Sequence, residues 1–175
     1  MSKEIEEAVA AASQVANGWL QGRDPSLSLR IERMASIKPT VAAFVHGGWK
    51  RKVGHWDWVR LFHKEVKWND AWLFSLLRGQ QPVALCLGSI SIQEDHVAIE
   101  YLERRLDVPG VKGVPLAAAF QFAAAVAAVL ELGQVRVNNP INDTLVDHYA
   151  RTLHMTPVRQ TPGGRVDYLY RNVKI

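Results

Sequence analysis

The chain has 175 residues, of which 48% are hydrophobic and 22% charged, and its mean hydropathy lies near zero. Such a composition supplies a packed core and excludes a disordered chain, and the length fits one domain, expected here as 1–175. The formal charge of +4 permits anionic ligands but lacks the density of a nucleic-acid coat, and one cysteine, Cys86, excludes an internal disulfide and any multi-cysteine zinc site. The start, MSKEIEEAVAAASQVANGWL, puts acidic residues ahead of the apolar positions, the reverse of a signal peptide, so a cytoplasmic protein without a membrane anchor is expected.

Ser2 caps a first predicted helix with Ile5, Val9, Ala12, Ala16 and Trp19 on one stripe, ended by Gly22 and Pro25. Alternation of Leu27, Leu29 and Ile31 with Ser28, Arg30 and Glu32 predicts a strand with one polar face. Pro39 opens a helical stretch to about Gly47. The region from Trp49 to Trp72 holds five tryptophans with basic residues between them and reads as one or two helices. Three strands follow, Ala71 to Arg78, Val83 to Ile92 and His96 to Arg105, separated by turns at Gly79–Pro82 and Glu94–Asp95, which makes an antiparallel meander. A loop from Leu106 to Val114 enters an alanine-rich helix, Leu116 to Leu132, with Pro115 in its first turn and Gly133 as its stop. That apolar run is too short to span a bilayer. Gln134 to Asn138 is a strand, Asp143 to Leu153 a helix, and Thr156 to Gln160 with Arg165 to Arg171 a hairpin around Pro162-Gly163-Gly164.

The loop Asp107-Val108-Pro109-Gly110-Val111-Lys112-Gly113-Val114-Pro115 carries the strongest chemical signal. A glycine-bearing loop that enters a helix presents free N–H groups and the positive end of the helix dipole, a setting for phosphate, and Lys112 adds a cation. It has neither the P-loop nor the dinucleotide-binding glycine pattern. Gly110-Val111-Lys112-Gly113-Val114, between a strand and a long helix, is similar to the end of the pyrophosphate loop of the GNAT superfamily of acyl-CoA-dependent N-acyltransferases, (Gln/Arg)-x-x-Gly-x-(Gly/Ala). Asn142 to Met155 resembles that family's Asn…Tyr-x-x-x-Gly-Phe helix, with Asn142 and Tyr149 seven residues apart. The element order from Leu27 to Val173 matches as well, and the first 22 residues are then an addition. Three positions depart from the pattern. Gly110 stands in place of Gln or Arg, Pro115 in place of a small residue with an N–H, and His154-Met155 in place of Gly-Phe.

The resemblance implies an α/β (α+β) fold: a mostly antiparallel mixed sheet of six to seven strands, splayed between the fourth and fifth, with helices on both faces. It implies acetyl-CoA or another acyl-CoA as co-substrate, no metal, and an amine-bearing acceptor, and it permits a homodimer. Cofactor contacts fall on Gly110, Val111, Lys112, Gly113, Val114, Asn138 and Asn142. The base is Glu100 or Glu103; alternation puts them on opposite faces, so one serves, and Glu100 is favoured. Tyr149 stands where the family keeps its general acid. His148 faces another side of its helix, Cys86 is a core residue, and the histidines lack metal-ligand spacing. A second reading keeps the scaffold but gives it a protein or nucleic-acid partner, bound through the tryptophans and the cations Lys50, Arg51, Lys52, Arg60, Lys64 and Lys67; Arg30, Arg33, Arg104 and Arg105 extend that surface. The plainer alternative turns the tryptophans inward while the cations reach water.

Overall fold

The structure, a computed structural model, describes residues 2–46, 56–68 and 70–173. In chain order the elements are α1 (Lys3–Gln21), β1 (Leu27–Ile31), α2 (Ile37–Val45), α3 (Trp58–Trp68), β2 (Asp70–Arg78), β3 (Gln81–Ser91), β4 (His96–Arg104), α4 (Val114–Val129), β5 (Gln134–Asn138), α5 (Asp143–Thr152), β6 (Thr156–Val158) and β7 (Tyr168–Asn172). The seven strands form one sheet in the order β1-β2-β3-β4-β5-β7-β6, antiparallel except where β4 and β5 run parallel.

Strand alternation sorts the apolar residues onto two faces. One carries Leu27, Leu29, Trp72, Phe74, Leu76, Ala84, Cys86, Val97, Ile99, Val135 and Val137, covered by α1 and α4. Ala12 and Ala16 of α1 meet the alanines of α4, and small side chains let the two helices lie close together. The other face carries Ala71, Leu73, Leu85 and Leu87, covered by Ile37 and Phe44 of α2 and by Trp58 and Phe62 of α3. Gly88 is glycine because the Trp72 ring lies over it: a Cβ there would meet ring atoms at 2.1 Å and the Ala98 carbonyl at 2.3 Å. At the sheet edge, the Asn17 side chain of α1 donates to the Leu29 carbonyl at 2.9 Å and accepts from the Leu29 N–H at 2.7 Å.

Several element ends differ from expectation. Helix α2 begins at Ile37, two residues before Pro39, which sits inside its first turn where no N–H is required. Helix α4 ends at Val129, and the residue that turns the chain is Glu131, at φ +56°, with Gly133 already giving its N–H to Asp95 Oδ1 at 2.7 Å. Strands β6 and β7 are shorter than read. In the tryptophan-rich region Trp72 belongs to β2, while Gly47 to His55 and Asn69 lie outside the described residues. Among the described residues no helix is long and apolar enough to cross a membrane.

Candidate active site between β4 and β5

Strand β4 pairs with β5 over only four residues, His96–Gln134 to Ile99–Val137. Beyond that β5 ends at Asn138, while β4 continues to Arg104 along β3, so its backbone from Glu100 onward has no partner on the β5 side. The sheet opens there. The expected splay is therefore present, and a segment with unpaired N–H and C=O groups can receive an extended ligand by the same bonds a strand would make.

The opening coincides with a β-bulge. Leu87 faces Tyr101 and Gly88 faces Ile99, which leaves Glu100 as the extra residue in β4. The bulge corrects one expectation: Glu100 and Glu103 do not lie on opposite faces. Glu100 Oε1 accepts from Ser89 Oγ at 2.7 Å and from Asn138 Nδ2 at 2.8 Å, and Glu103 Oε2 accepts from Trp58 Nε1 at 2.8 Å, all on the α2/α3 face. Inserting one residue shifts the alternation by one, so residues three apart return to the same side. Their environments still separate them. Glu103 is 8% exposed and held by the buried Trp58 indole, whereas Glu100 is half-buried and the described residues give its Oε2 no hydrogen-bond donor.

Tyr101 lies beside Glu100 with its ring 5.3 Å from that of Trp56. Burial, reinforced by the negative charges of Glu65 and Glu100, holds its phenol above the ordinary range. Glu65 reaches this wall because it lies seven residues after Trp58 and three after Phe62, on the face of α3 turned to the sheet.

Tyr149 packs from α5 into the larger apolar cluster. Burial, with a smaller contribution from Cys86, raises its pKa, so the phenol keeps its proton. Cys86 pairs across β3 with Leu102 in the unpartnered half of β4, which places Tyr149 alongside the opening. Cys86 itself is fully buried and its thiol is pushed well up, as suits an inert core residue. His148 is exposed, 3.3 Å from Thr152 Oγ1.

The loop after β4 turns through Gly110 at φ +76° and Gly113 at φ +80°, both in the left-handed region. Gly113 is the N-cap of α4 and offers no side-chain oxygen to the first turn. The turn is closed by Val114 N–H to the Val111 carbonyl at 3.3 Å and Ala117 N–H to the Gly113 carbonyl at 3.3 Å, neither of which uses the N–H of Lys112 or Gly113. Lys112 and Gly113 are exposed, Val114 is half-buried, and Val111 is wholly buried, backbone included, which corrects its place among the expected cofactor contacts. Free amides, a helix N-terminus and a cation can hold an anionic group; Pro115 in the first turn subtracts one donor.

The other named residues have definite tasks. Asn142 Oδ1 caps α5 through the Leu145 N–H at 2.9 Å, and Asn138 bonds Glu100. Trp58 and Trp72 face the core, Trp56 is half-buried, and Arg60, Lys64 and Lys67 face solvent, so for Trp58 and Trp72 the inward arrangement holds. Trp49, Lys50, Arg51 and Lys52 lie outside them. The four arginines do not make one surface: Arg30 pairs with Glu32 at 2.9 Å, and Arg105, 5% exposed, turns inward to the His46 carbonyl at 3.2 Å and to Asp107. Sequence reasoning missed Ser89 and Glu65, and it names Trp56 only as one tryptophan of a partner-binding surface. None belongs to a motif, and only the strand pairing and the helix register bring them to Glu100 and Tyr101.

No protein-family model and no curated protein sequence matches the chain. Solved structures do. An acetyltransferase of the GNAT family from Staphylococcus aureus is 9% identical, with a TM-score of 0.56 over 85% of this chain and 99% of that one. The ribosomal-protein-S18-alanine N-acetyltransferase from Escherichia coli is 9% identical, with 0.60 over 85% and 95%. The dodecameric spermidine N-acetyltransferase from Vibrio cholerae is 12% identical, with 0.58 over 85% and 95%. With its sheet order, its opening between β4 and β5 and its loop at the head of α4, the chain has the fold of the GNAT N-acetyltransferases.

Proposed function

We propose that the protein is an acyl-CoA-dependent N-acyltransferase that moves an acetyl group from acetyl-CoA to an amine. The observation that carries this reading is the coincidence of the β4/β5 opening with the bulge residue Glu100, whose Oε2 is left for a ligand. The pantetheine arm fits the unpaired edge of β4, and the pyrophosphate fits the amides of Gly110, Lys112 and Gly113 with the Lys112 ammonium. Acetyl-CoA supplies the thioester that the acceptor nitrogen attacks. Glu100 Oε2 takes the proton that the nitrogen loses as the C–N bond forms, while Ser89 and Asn138 hold the other oxygen still. The N–H groups of β4 beyond Ile99 face the carbonyl oxygen as it gains charge. Tyr149 gives its proton to sulfur as the C–S bond breaks, and its raised pKa keeps that proton available.

Glu65, Glu100, Tyr101 and Trp56 line the α2/α3 side of the opening, which suits a cationic amine with an alkyl or aromatic stem better than an anionic acceptor. Calorimetric titration of the full chain with acetyl-CoA tests the reading: saturable binding at micromolar to low millimolar ligand supports it, and no heat at millimolar ligand overturns it. One observation favours a second reading, a partner-binding scaffold: Gly110 and Pro115 remove a cation and a donor from the loop. Nucleic-acid binding under that reading weakens steeply with salt, and a salt-independent isotherm excludes it.

A further inference from the structure

At the start of the loop that would hold pyrophosphate the Asp107 side chain accepts from Arg105, whereas Pro109 and Gly110 have no side-chain polar group of their own. Among the described residues the anchor of Pro109 to β2 comes from Arg78, at the end of that strand. Arg78 Nη1 donates to the Pro109 carbonyl at 2.7 Å, and Nη2 lies 3.6 Å from where a Cβ on Gly110 would stand. Nη2 also pairs with Asp24 Oδ2 at 3.2 Å. Asp24 is fixed in turn, with its N–H on the Leu20 carbonyl of α1 at 2.8 Å and its Oδ1 accepting from Ser26 N–H at 3.0 Å and Ser26 Oγ at 2.6 Å. The Ser26 bonds, then Arg78, hold its carboxyl below the usual range. A guanidinium can do this because its planar fork presents donors in several fixed directions, whereas an ammonium is a single point charge. Only Arg78 Nε, buried without a partner, stays outside the scheme.

A continuous path thus runs from the C-terminal end of α1 through Asp24 and Arg78 to the carbonyl immediately before Gly110. We propose that Arg78 is the positioning residue of the acyl-CoA phosphate loop, standing in from β2 for the cation absent at Gly110, and that α1 serves the loop by holding Arg78 through Asp24. This rests on the acyl-CoA reading above. Fixing the Pro109 carbonyl fixes the direction of the N–H groups that follow it, and the guanidinium adds positive charge behind them. Neither effect reaches the pantetheine arm or the thioester.

The test compares CoA, which carries the pyrophosphate, with S-acetylpantetheine, which carries no nucleotide or pyrophosphate. In Arg78→Gln the calorimetric Kd for CoA rises about tenfold or more, while kcat/KM with S-acetylpantetheine stays within about twofold of wild type. Asp24→Asn weakens CoA about threefold alone and adds nothing in the Arg78→Gln background, since both act through one guanidinium. Backbone amides of residues 110–114 exchange hydrogen faster in Arg78→Gln without ligand. If Arg78→Gln is poorly folded, Arg78→Lys, which keeps the charge but not the fork, gives an intermediate loss of CoA binding. An unchanged CoA Kd overturns the proposal, as do equal losses with CoA and S-acetylpantetheine, which mean general damage. A wild-type chain that binds no CoA overturns the acyl-CoA reading itself, an outcome separate from the first two.

Discussion

The two faces of the sheet are built from different chemistry. Under α1 and α4 the contacts are hydrocarbon and aromatic ring, with Phe122 tilted against Trp72 at 4.8 Å and edge-on to Phe74 at 5.6 Å. Under α2 and α3 lie the buried polar groups: Glu32, Thr40, Ser75, Ser89, His96, Glu103 and Arg105. Glu32 alone accepts from Ser75, Ser36, Thr40 and Arg30, at 2.5 to 3.0 Å. Burying a polar group without a partner costs several times what a satisfied bond contributes, so each of these fixes its neighbours as firmly as shape does on the other face. The dry face holds the sheet rigid and carries Tyr149 at its margin; the polar face, where Glu100 also lies, orients its side chains by hydrogen bonds.

Four substitutions test this division. Phe122→Ala on the dry face leaves a cavity beside the rings of Trp72 and Phe74 and costs about 3–5 kcal/mol in urea unfolding. The activity of the molecules that remain folded should be unaltered; a loss larger than the fraction unfolded would mean that the packing around Phe122 also positions the site. Glu100→Gln on the polar face works the other way. Turnover of acetyl-CoA, followed by thiol release, falls about a hundredfold while the melting temperature stays within a few degrees, and a residual rate near wild type removes Glu100 as the base.

Glu103→Ala separates a structural carboxylate from the proposed base. It leaves the Trp58 N–H buried without a partner and costs about 1–3 kcal/mol, read by urea unfolding, with a smaller effect on turnover than Glu100→Gln. The smallest effect falls on Tyr149. Its folded pKa is raised, so its neutral form is favoured at every pH below the ordinary phenol value of about 10 and is lost only as pH climbs through the folded value. The alkaline limb of kcat therefore lies above pH about 10 in the wild type. Tyr149→Phe removes that limb and lowers kcat about tenfold, and a profile unchanged by the substitution would assign the proton to another group.

Much of this contrast is legible in the amino-acid order. Period-two alternation in Leu27–Ile31 and the apolar runs Val83–Leu87 and His96–Ile99 place the meander, because a half-buried strand has no other way to hide its side chains. The glycine and proline positions place the loop and the head of α4. The bulge at Glu100 is not legible, since it is a property of two strands: β4 contains no glycine or proline there, and the extra residue exists only relative to Leu87 and Gly88. The faces of Glu100 and Glu103 were therefore misread from one strand alone. Likewise Asn138 meets Glu100 because β5 lies next to β4 across a crossover, a neighbour relation that local pattern does not encode. Ends of helices fail for a smaller reason, since a proline is equally at home at the first position or inside the first turn.

The Asn17 side chain has a consequence for how the molecule meets others of its kind. A primary amide has the same donor and acceptor as a peptide group, and here it occupies both the N–H and the C=O of Leu29 on the outer side of β1. The margin of the sheet is thus closed at its centre by one side chain, and a second sheet approaching there would have to dislodge α1 before it could pair. The opposite margin of the sheet is the three residues of β6, where few backbone groups are offered and a strand-to-strand union would be brief.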